Sequence, residues 1–220
     1  MHTNVVIDGI PHKGEPSNMS DAYLAAVATR RTNYAITAKS SVSDEKLEAI
    51  VKQAVLHSPT SFNTQSSRAV LVLGAENTKL WNLVSESFLK GVPDDKKATA
   101  QARLTAFAGG YGSVLFFEDQ AVIDDITAKI PIYTTLFPVW STNAAGILQS
   151  VVWTSLTLEG LGASLQHFGA DPAIAAEIHK AFNLPTTWTS TAIMPFGDPA
   201  APPAEKTFTP IENRVKVVKA

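Results

Sequence analysis

The chain contains no cysteine, so disulfides, thiolate metal sites and thiol nucleophiles are all excluded. Histidine is scarce: His2, His12, His57, His167 and His179 are the five present, and they form neither an HExxH motif nor a closely spaced ligand pair. No metal site is expected. Charge of one sign is also lacking, since 18 basic residues stand against 20 acidic ones for a formal net charge of -2. No global field therefore calls for nucleic acid or an anionic membrane surface, and any phosphate-bearing partner has to be held locally. A GxSxG elbow, paired carboxylates in a recognisable motif and a Cys-His pair are absent as well. Gly109-Gly110-Tyr111-Gly112 is followed by no Gly-Lys-Ser/Thr and does not meet GxGxxG spacing, so it reads as a tight turn into the apolar run Val114 to Phe117. Met1 to Ser20 carries no apolar segment and no arginine, which fits neither a secretory signal nor a transit peptide; the cytoplasm is the expected location.

One absence is local. Ile130 to Leu158 contains no charged residue and is long enough to cross a bilayer. Pro131, Pro138 and a scatter of polar groups (Thr134, Ser141, Thr142, Asn143, Gln149, Ser150, Thr154, Ser155) argue against hydrocarbon. A helix buried in a core or a subunit interface is expected instead, and no membrane partner.

What is present is apolar material: 45% of 220 residues are hydrophobic, enough to bury a core in one domain or one intertwined subunit. Ser20 to Thr29 reads as a helix ending at Arg30-Arg31. Ser43 caps a second, with Asp44 and Glu45 in its first turn and Leu47, Ile50, Val51 and Val55 at helical spacing. Ala69 to Leu73 is a continuous apolar run bounded by Gly74, as in a strand buried on both faces. Leu80, Val84 and Phe88 mark a third helix, and Asp95 to Ala108 a fourth. The long helix runs from about Phe137 to Glu159, and Ala163 to Phe168 follows as a strand. Asp171 and Pro172 open another helix as N-cap and first residue, with Ile174, Ile178 and Phe182 on its buried face. Thr189 to Phe196 is the last internal strand. Beyond a Pro-rich linker at 198–203, Val215 to Val218 reads as an isolated strand, suited to an arm that reaches another subunit. Without regular strand-helix alternation the class is α+β: a small central sheet flanked by helices, with one long helix through the middle. Residues 1–19 form an N-terminal extension and 20–220 a single domain.

Two polar segments carry the chemistry. Arg30-Arg31-Thr32-Asn33-Tyr34 supplies guanidiniums and donors suited to a phosphate, although helix-end arginines are also simply dipole-favoured, solvated charge. Ser58-Pro59-Thr60-Ser61-Phe62-Asn63-Thr64-Gln65 offers hydroxyls and carboxamides suited to a polar heterocycle, although such a stretch is also an ordinary turn.

In order along the chain, Arg-Arg-Thr-x-Tyr, Ser-Pro-Thr-Ser-x-Asn-x-Gln, Glu-Gly-Leu-Gly and Met-Pro-Phe-Gly resemble the nitroreductase family of FMN-dependent flavoproteins. Residues 110–119, 137–141 and 160–167 are similar to the branch containing fungal nitroreductases and related bacterial proteins. The resemblance covers Ser20 to the C-terminus. It implies a mainly antiparallel central sheet and a homodimer with FMN at the interface. It also implies the long helix at that interface and a C-terminal arm exchanged with the partner. Arg30, Arg31, Thr32 and Asn33 fall where the family holds the phosphate, ribityl chain and pyrimidine edge. Pro59, Thr60, Ser61 and Asn63 fall where the partner subunit contacts the flavin. Leu165, Gln166 and His167 fall on the strand whose backbone faces the ring, and Lys206 where a tail cation meets the phosphate. Many members carry a second cation two positions on; Phe208 stands there in this chain, leaving Arg214 as a possible substitute. The implied activity is hydride transfer from NAD(P)H through FMN to a nitroaromatic or quinone-like acceptor by a ping-pong mechanism. Reduction of an activated alkene or another specific metabolite remains an alternative, as does a non-catalytic flavin-binding regulatory dimer.

His167 is a candidate proton donor, against a reading in which its backbone alone matters. His57 reads as a helix C-terminal cation. Phe137 and Trp140 line an acceptor pocket or serve packing.

Overall fold

A computed structural model describes residues 16–219. Most of the expected extension at 1–19 lies outside the described residues. The first helix, α1 (Pro16–Thr29), begins earlier than the expected Ser20, with proline at a first position where its missing N–H is no loss. The remaining elements are α2 (Asp44–His57), β1 (Ser67–Leu73), α3 (Ala75–Phe88), α4 (Asp94–Ala108), β2 (Gly112–Asp119), α5 (Gln120–Lys129), α6 (Phe137–Leu158), β3 (Gly162–Ala163), α7 (Pro172–Phe182) and β4 (Trp188–Gly197). The class is α+β, with an antiparallel sheet in the order β1-β2-β4-β3.

Alternation along β2 divides the core in two. Val114 and Phe116 face α2 and α6, meeting Leu47, Val51, Ala54, Leu148, Val152 and Leu156. Leu115 and Phe117 point the other way, to Leu80, Trp81, Val84, Leu104, Phe107, Ile174 and Ile178. With a strand period of two, a central strand covered on both faces must be apolar at every position, and β2 is buried from Gly112 to Glu118. The same expectation for 69–73 fails: β1 is an edge strand, and Ala69, Val70 and Leu71 are only half-buried. A register shift between β2 and β4 at Phe116/Phe117 leaves Thr191 as the extra residue, whose hydroxyl donates to Phe116 O at 3.1 Å.

Ser43 caps α2 as expected, its Oγ accepting from Lys46 N at 3.3 Å. Asp171 does the same for α7, accepting from Ala173 N at 2.8 Å. Gly109 to Gly112 forms the expected turn. A Cβ on Gly112 would come within 2.7 Å of Val72 O, so that position admits no side chain.

The expected strand at 163–168 is much shorter. Its ladder with β4 pairs Gly162 with Gly197, and Gln166 exchanges two 2.8 Å hydrogen bonds with Ile193. Between them Ser164 N donates to Pro195 O at 3.3 Å, but Pro195 has no N–H to return the bond. Regular pairing stops there, and a 3₁₀ turn begins at Phe168. The tail strand at 215–218 does not form within the chain. Residues 214–219 hold no regular element, and Val215, Val217 and Val218 are exposed.

The charge-free run resolves into a 3₁₀ turn at Pro131–Tyr133 followed by α6. Within this chain α6 buries one face and leaves Val139, Ile147, Val151 and Leu158 exposed. Among the described residues no helix is long and apolar enough to cross a membrane.

Candidate functional site

The first polar segment leaves α1 and docks on β3. Arg30 N still donates to Ala26 O, then Thr32 bridges Ala163, and Asn33 N donates to Ala163 O at 2.9 Å. The carboxamide of Asn33 is nearly fully buried and committed. Its Nδ2 donates to Ala201 O at 2.9 Å and its Oδ1 accepts from Ala35 N at 2.9 Å. Asn33 thus fastens the post-helix segment to the strap that follows β4. Further bonds hold the same strap: Thr37 N to Asp198 O, Asp198 N to Lys39 O and Ala200 N to Ala35 O. Gly197 permits this approach, since a Cβ there would lie 2.1 Å from Thr37 O.

This strap brings Lys206 to the arginines. Arg30, Arg31, Thr32, Asn33 and Lys206 all line one open groove of about 570 Å³, together with Tyr34 and residues 202–205, of which Glu205 brings one carboxylate. Arg31 Nη2 donates to Ala204 O across it. The Arg30 guanidinium lies 4.4 Å from the centre of the Trp153 ring, and Lys206 Nζ lies 5.0 Å from that of Phe208. None of the three cations forms an ion pair among the described residues. With three cations against the single carboxylate of Glu205, the groove carries a net positive charge, which suits a phosphate held locally. Arg214 does not line it.

The edge of β3 adds donors. Because Gln166 exchanges both backbone bonds with Ile193, the alternating residues on either side, Leu165 and His167, turn their N–H groups away from β4. Neither N–H has a partner among the described residues. His167 O accepts from Ala170 N at 3.1 Å, and the imidazole itself is exposed without a hydrogen bond.

The second polar segment is elsewhere in the chain. After α2, whose last residue His57 bonds Gln53 at 3.1 Å, the loop folds on itself: Gln65 N donates to Thr60 Oγ1, and Asn63 N to Thr60 O. Phe62, Asn63 and Gln65 all have positive φ, at 56°, 53° and 52°. Three non-glycine residues in the left-handed region within four positions constitute strain of about 1–2 kcal/mol each. The Ser61 hydroxyl and the Asn63 carboxamide have no hydrogen-bond partner among the described residues. Pro59 and Phe62 are exposed. Thr60 and Ser61 line only a void of about 10 Å³ against Ile123, Phe137 and Ser141. No residue of this loop lines the Arg30–Lys206 groove. The two polar segments are therefore apart within one chain.

Two features here escape sequence reasoning. Phe62 packs on Tyr133, Phe137 and Trp140 at ring separations of 5.9, 5.6 and 6.1 Å, and those three rings also contact one another. The second is Glu118 on β2, a carboxylate only 4% exposed and without a cation partner among the described residues. Its Oε2 accepts from Ser66 Oγ (2.5 Å) and Ser141 Oγ (2.9 Å), and its Oε1 from Ser67 Oγ (2.5 Å). This network ties the loop exit to the N-terminal part of α6. The only sequence signal for it is an acidic residue closing an otherwise apolar strand.

Residues 27–198 match the model of the nitroreductase family. The chain is similar to putative nitroreductase HBN1 of Saccharomyces cerevisiae, at 34% identity over 89% of this chain and 96% of that protein. It is 32% identical to nitroreductase FRM2 of the same yeast, over 89% of this chain and 96% of that protein. Among solved structures, nitroreductase CinD from Lactococcus lactis in complex with chloramphenicol is 38% identical, with a TM-score of 0.80, covering 90% of this chain and all of that one.

Proposed function

The chain belongs to the nitroreductase family, and on that premise we propose that it is an FMN-dependent oxidoreductase that takes hydride from NADH or NADPH and reduces nitroaromatic or quinone-like acceptors in a ping-pong cycle. The observation that carries this reading is the groove itself. Three cations without an ion-pair partner among the described residues, Arg30, Arg31 and Lys206, surround a space suited to a monoester phosphate, and the segment after β3 presents unpartnered backbone donors at Leu165 and His167. Those residues fit the group: guanidiniums and an ammonium for a dianionic phosphate, and N–H donors for the heteroatoms of a flat ring.

When bound, FMN supplies the two-electron hydride chemistry that no side chain of this protein can perform. The chain's own part is to hold and orient. Arg31 is braced by Ala204 O and Arg30 by the Trp153 ring, so both guanidiniums are pre-positioned and lose little freedom on engaging a phosphate. The N–H groups of Leu165 and His167 sit on a ladder that cannot shift without breaking the Gln166–Ile193 pair. His167 is proposed to act through this backbone donor, its imidazole remaining free in solvent.

The second half of the site is proposed to come from another copy of the chain. Exposed Tyr23, Leu24 and Val27 on α1, Leu56 on α2, and Val139, Ile147, Val151 and Leu158 on α6 offer a broad apolar face on three helices packed together. Pairing through α6, with arm exchange by the exposed tail, would bring Pro59, Thr60, Ser61 and Asn63 of one copy to the groove of the other. The free Ser61 hydroxyl and Asn63 carboxamide support that role. The four-ring cluster at Phe62 supports a planar acceptor, consistent with the complexes of Lactococcus lactis CinD with chloramphenicol and 4-nitrophenol. Residues 20–220 then act as one flavin-binding unit.

The deciding experiment is an anaerobic titration of the purified protein. A flavin absorbance band that bleaches with NADH or NADPH and returns on adding a nitroarene is the expected result. Flavin that is bound but not bleached by either nucleotide would leave a non-catalytic binding protein. Recovery with an enone but not a nitroarene would indicate an alkene reductase.

A further inference from the structure

A second cavity lies away from both half-sites. It measures about 640 Å³, within the range of small-molecule pockets, and is lined by residues of α3, α4 and the turn after His167. It shares no residue with the Arg30–Lys206 groove or with the Pro59–Gln65 loop. Its floor is apolar: Phe88, Val92, Pro93, Leu104 and Phe168. Phe88 and Phe168 meet edge to face at 5.0 Å, and Phe168 is held in turn by Trp81 and Phe107 at 5.9 and 6.3 Å. The floor is therefore rigid and aromatic, yet Phe88 remains 36% exposed.

The rim is charged. Lys96, Thr99, Ala100 and Arg103 follow the i, i+3, i+4, i+7 spacing of one face of α4, with the two cations about 10 Å apart along the axis. Lys96 and Arg103 form no ion pair among the described residues, unlike the neighbouring Lys97, which pairs with Asp94 at 2.7 Å. Two carboxylates also reach the cavity, Asp95 and Asp171, of which Asp171 is engaged as a helix cap. Asp171 Oδ1 accepts from Ala173 N and Ile174 N as the cap of α7, and Asp95 lies in the first turn of α4, where the helix dipole favours negative charge. With Asp171 engaged as a cap, Lys96 and Arg103 outnumber Asp95 among the unpaired charges of the rim.

From this combination we infer that the cavity is a binding site for a planar apolar carboxylate, its ring on Phe88 and Phe168 and its anion between Lys96 and Arg103. The inference is independent of the flavin reading. Phe168 follows His167 directly, so an occupant would rest on the turn that leads out of the flavin-facing segment.

The test uses the protein as purified and 2-naphthoate as the probe, followed by calorimetry, with its methyl ester as the uncharged control. The expected result is saturable binding of the acid with the ester at least tenfold weaker. The double variant Lys96→Glu/Arg103→Glu should weaken the acid at least tenfold, Lys97→Glu should leave it unchanged, and Ala100→Trp should remove it by filling the cavity. Flavin content should be the same in all three variants, which separates failure here from failure of the flavin site. Equal affinity for acid and ester, insensitivity to both cavity variants, or full displacement of the acid by 4-nitrophenol would overturn the proposal, the last by placing the acid at the acceptor position.

Discussion

The two polar segments, proposed as halves of one site, are built in opposite ways. The Arg30–Asn33 segment is held by its backbone and by one buried carboxamide, and its arginines form no ion pair among the described residues. The Pro59–Gln65 loop is held by its own strained turns, by a ring cluster and by a buried carboxylate beneath its exit. Charge placed for a ligand must stay uncompensated, so its support has to come from the main chain. A loop that presents small polar groups carries no such restriction, and its support can come from side chains beneath it. The contrast also shows why neither segment suffices: cations alone select anions, and hydroxyls alone select nothing in particular.

If the halves are joined only between copies, breaking the pairing should produce the largest effect. Ile147 sits on the exposed face of α6 and is 42% exposed. Ile147→Glu is expected to yield a folded monomer whose FMN affinity falls at least ~10³-fold, about 4 kcal/mol. Sedimentation and flavin fluorescence titration check this together, and a monomer that retains flavin would show the Arg30 groove to be a complete site.

Next in size is the support of the loop. Glu118→Ala removes the acceptor of three buried or half-buried hydroxyls at once. Orphaned groups of this kind cost about 1–3 kcal/mol each, and partial relaxation gives an expected total loss of about 3 kcal/mol in urea unfolding. Glu118→Gln, which keeps an acceptor oxygen, should recover part of it. A loss below about 1 kcal/mol would mean that the network is incidental.

Arg31→Ala tests the other half. Losing one guanidinium from a charge-assisted phosphate contact is worth about 1.5–3 kcal/mol, ten- to a hundredfold in FMN affinity, with little change in melting temperature. Unchanged affinity in both Arg30→Ala and Arg31→Ala would reduce the pair to helix-end charge.

The sequence was most legible where one local cause dominates. The caps at Ser43 and Asp171, the Gly109–Gly112 turn and the charge-free α6 each carry their own signal, and the order of polar motifs was enough to recognise the family. Legibility fell where a distant residue decides. The strand at 163–168 is cut short by Pro195, about thirty positions away, and α5 was not anticipated because Ile123 is its one buried side chain. Val70 and Leu71 read as doubly buried because nothing local tells an edge strand from a central one. The Glu118 network gathers serines from two remote elements, and the positive φ of Phe62 has no sequence mark at all.

That unmarked strain offers a smaller and sharper probe. Gln65 holds φ 52° while its N–H is tied to Thr60 Oγ1, so glycine at this position would keep the bond and lose the steric penalty. Gln65→Gly is expected to raise stability by up to about 1 kcal/mol, the gain being limited by the greater freedom of glycine in the unfolded chain. Destabilisation would show that the loop is not strained there, and the contrast between a strained loop and a relaxed arginine segment would disappear.

The smallest expected effect concerns pH and lies between the two halves. Tyr111, in the turn before β2, donates its phenol to Asp44 in the first turn of α2 at 2.5 Å. That hydrogen bond, followed by slight burial and the charges of Asp44 and Glu45, raises the Tyr111 pKa above its usual value. A raised folded value means that the neutral phenol is favoured by folding, so its contribution is fully present below the ordinary tyrosine pKa of about 10 and is lost as pH rises through the folded value. Stability should therefore fall at the alkaline end more steeply in the parent protein than in Tyr111→Phe, the two curves converging there and separating slightly near neutrality. Because α2 leads into the Pro59–Gln65 loop and not to the arginines, alkaline loosening should alter acceptor turnover before it alters FMN retention. Parallel pH profiles for parent and Tyr111→Phe would show that the contact transmits nothing to either half-site.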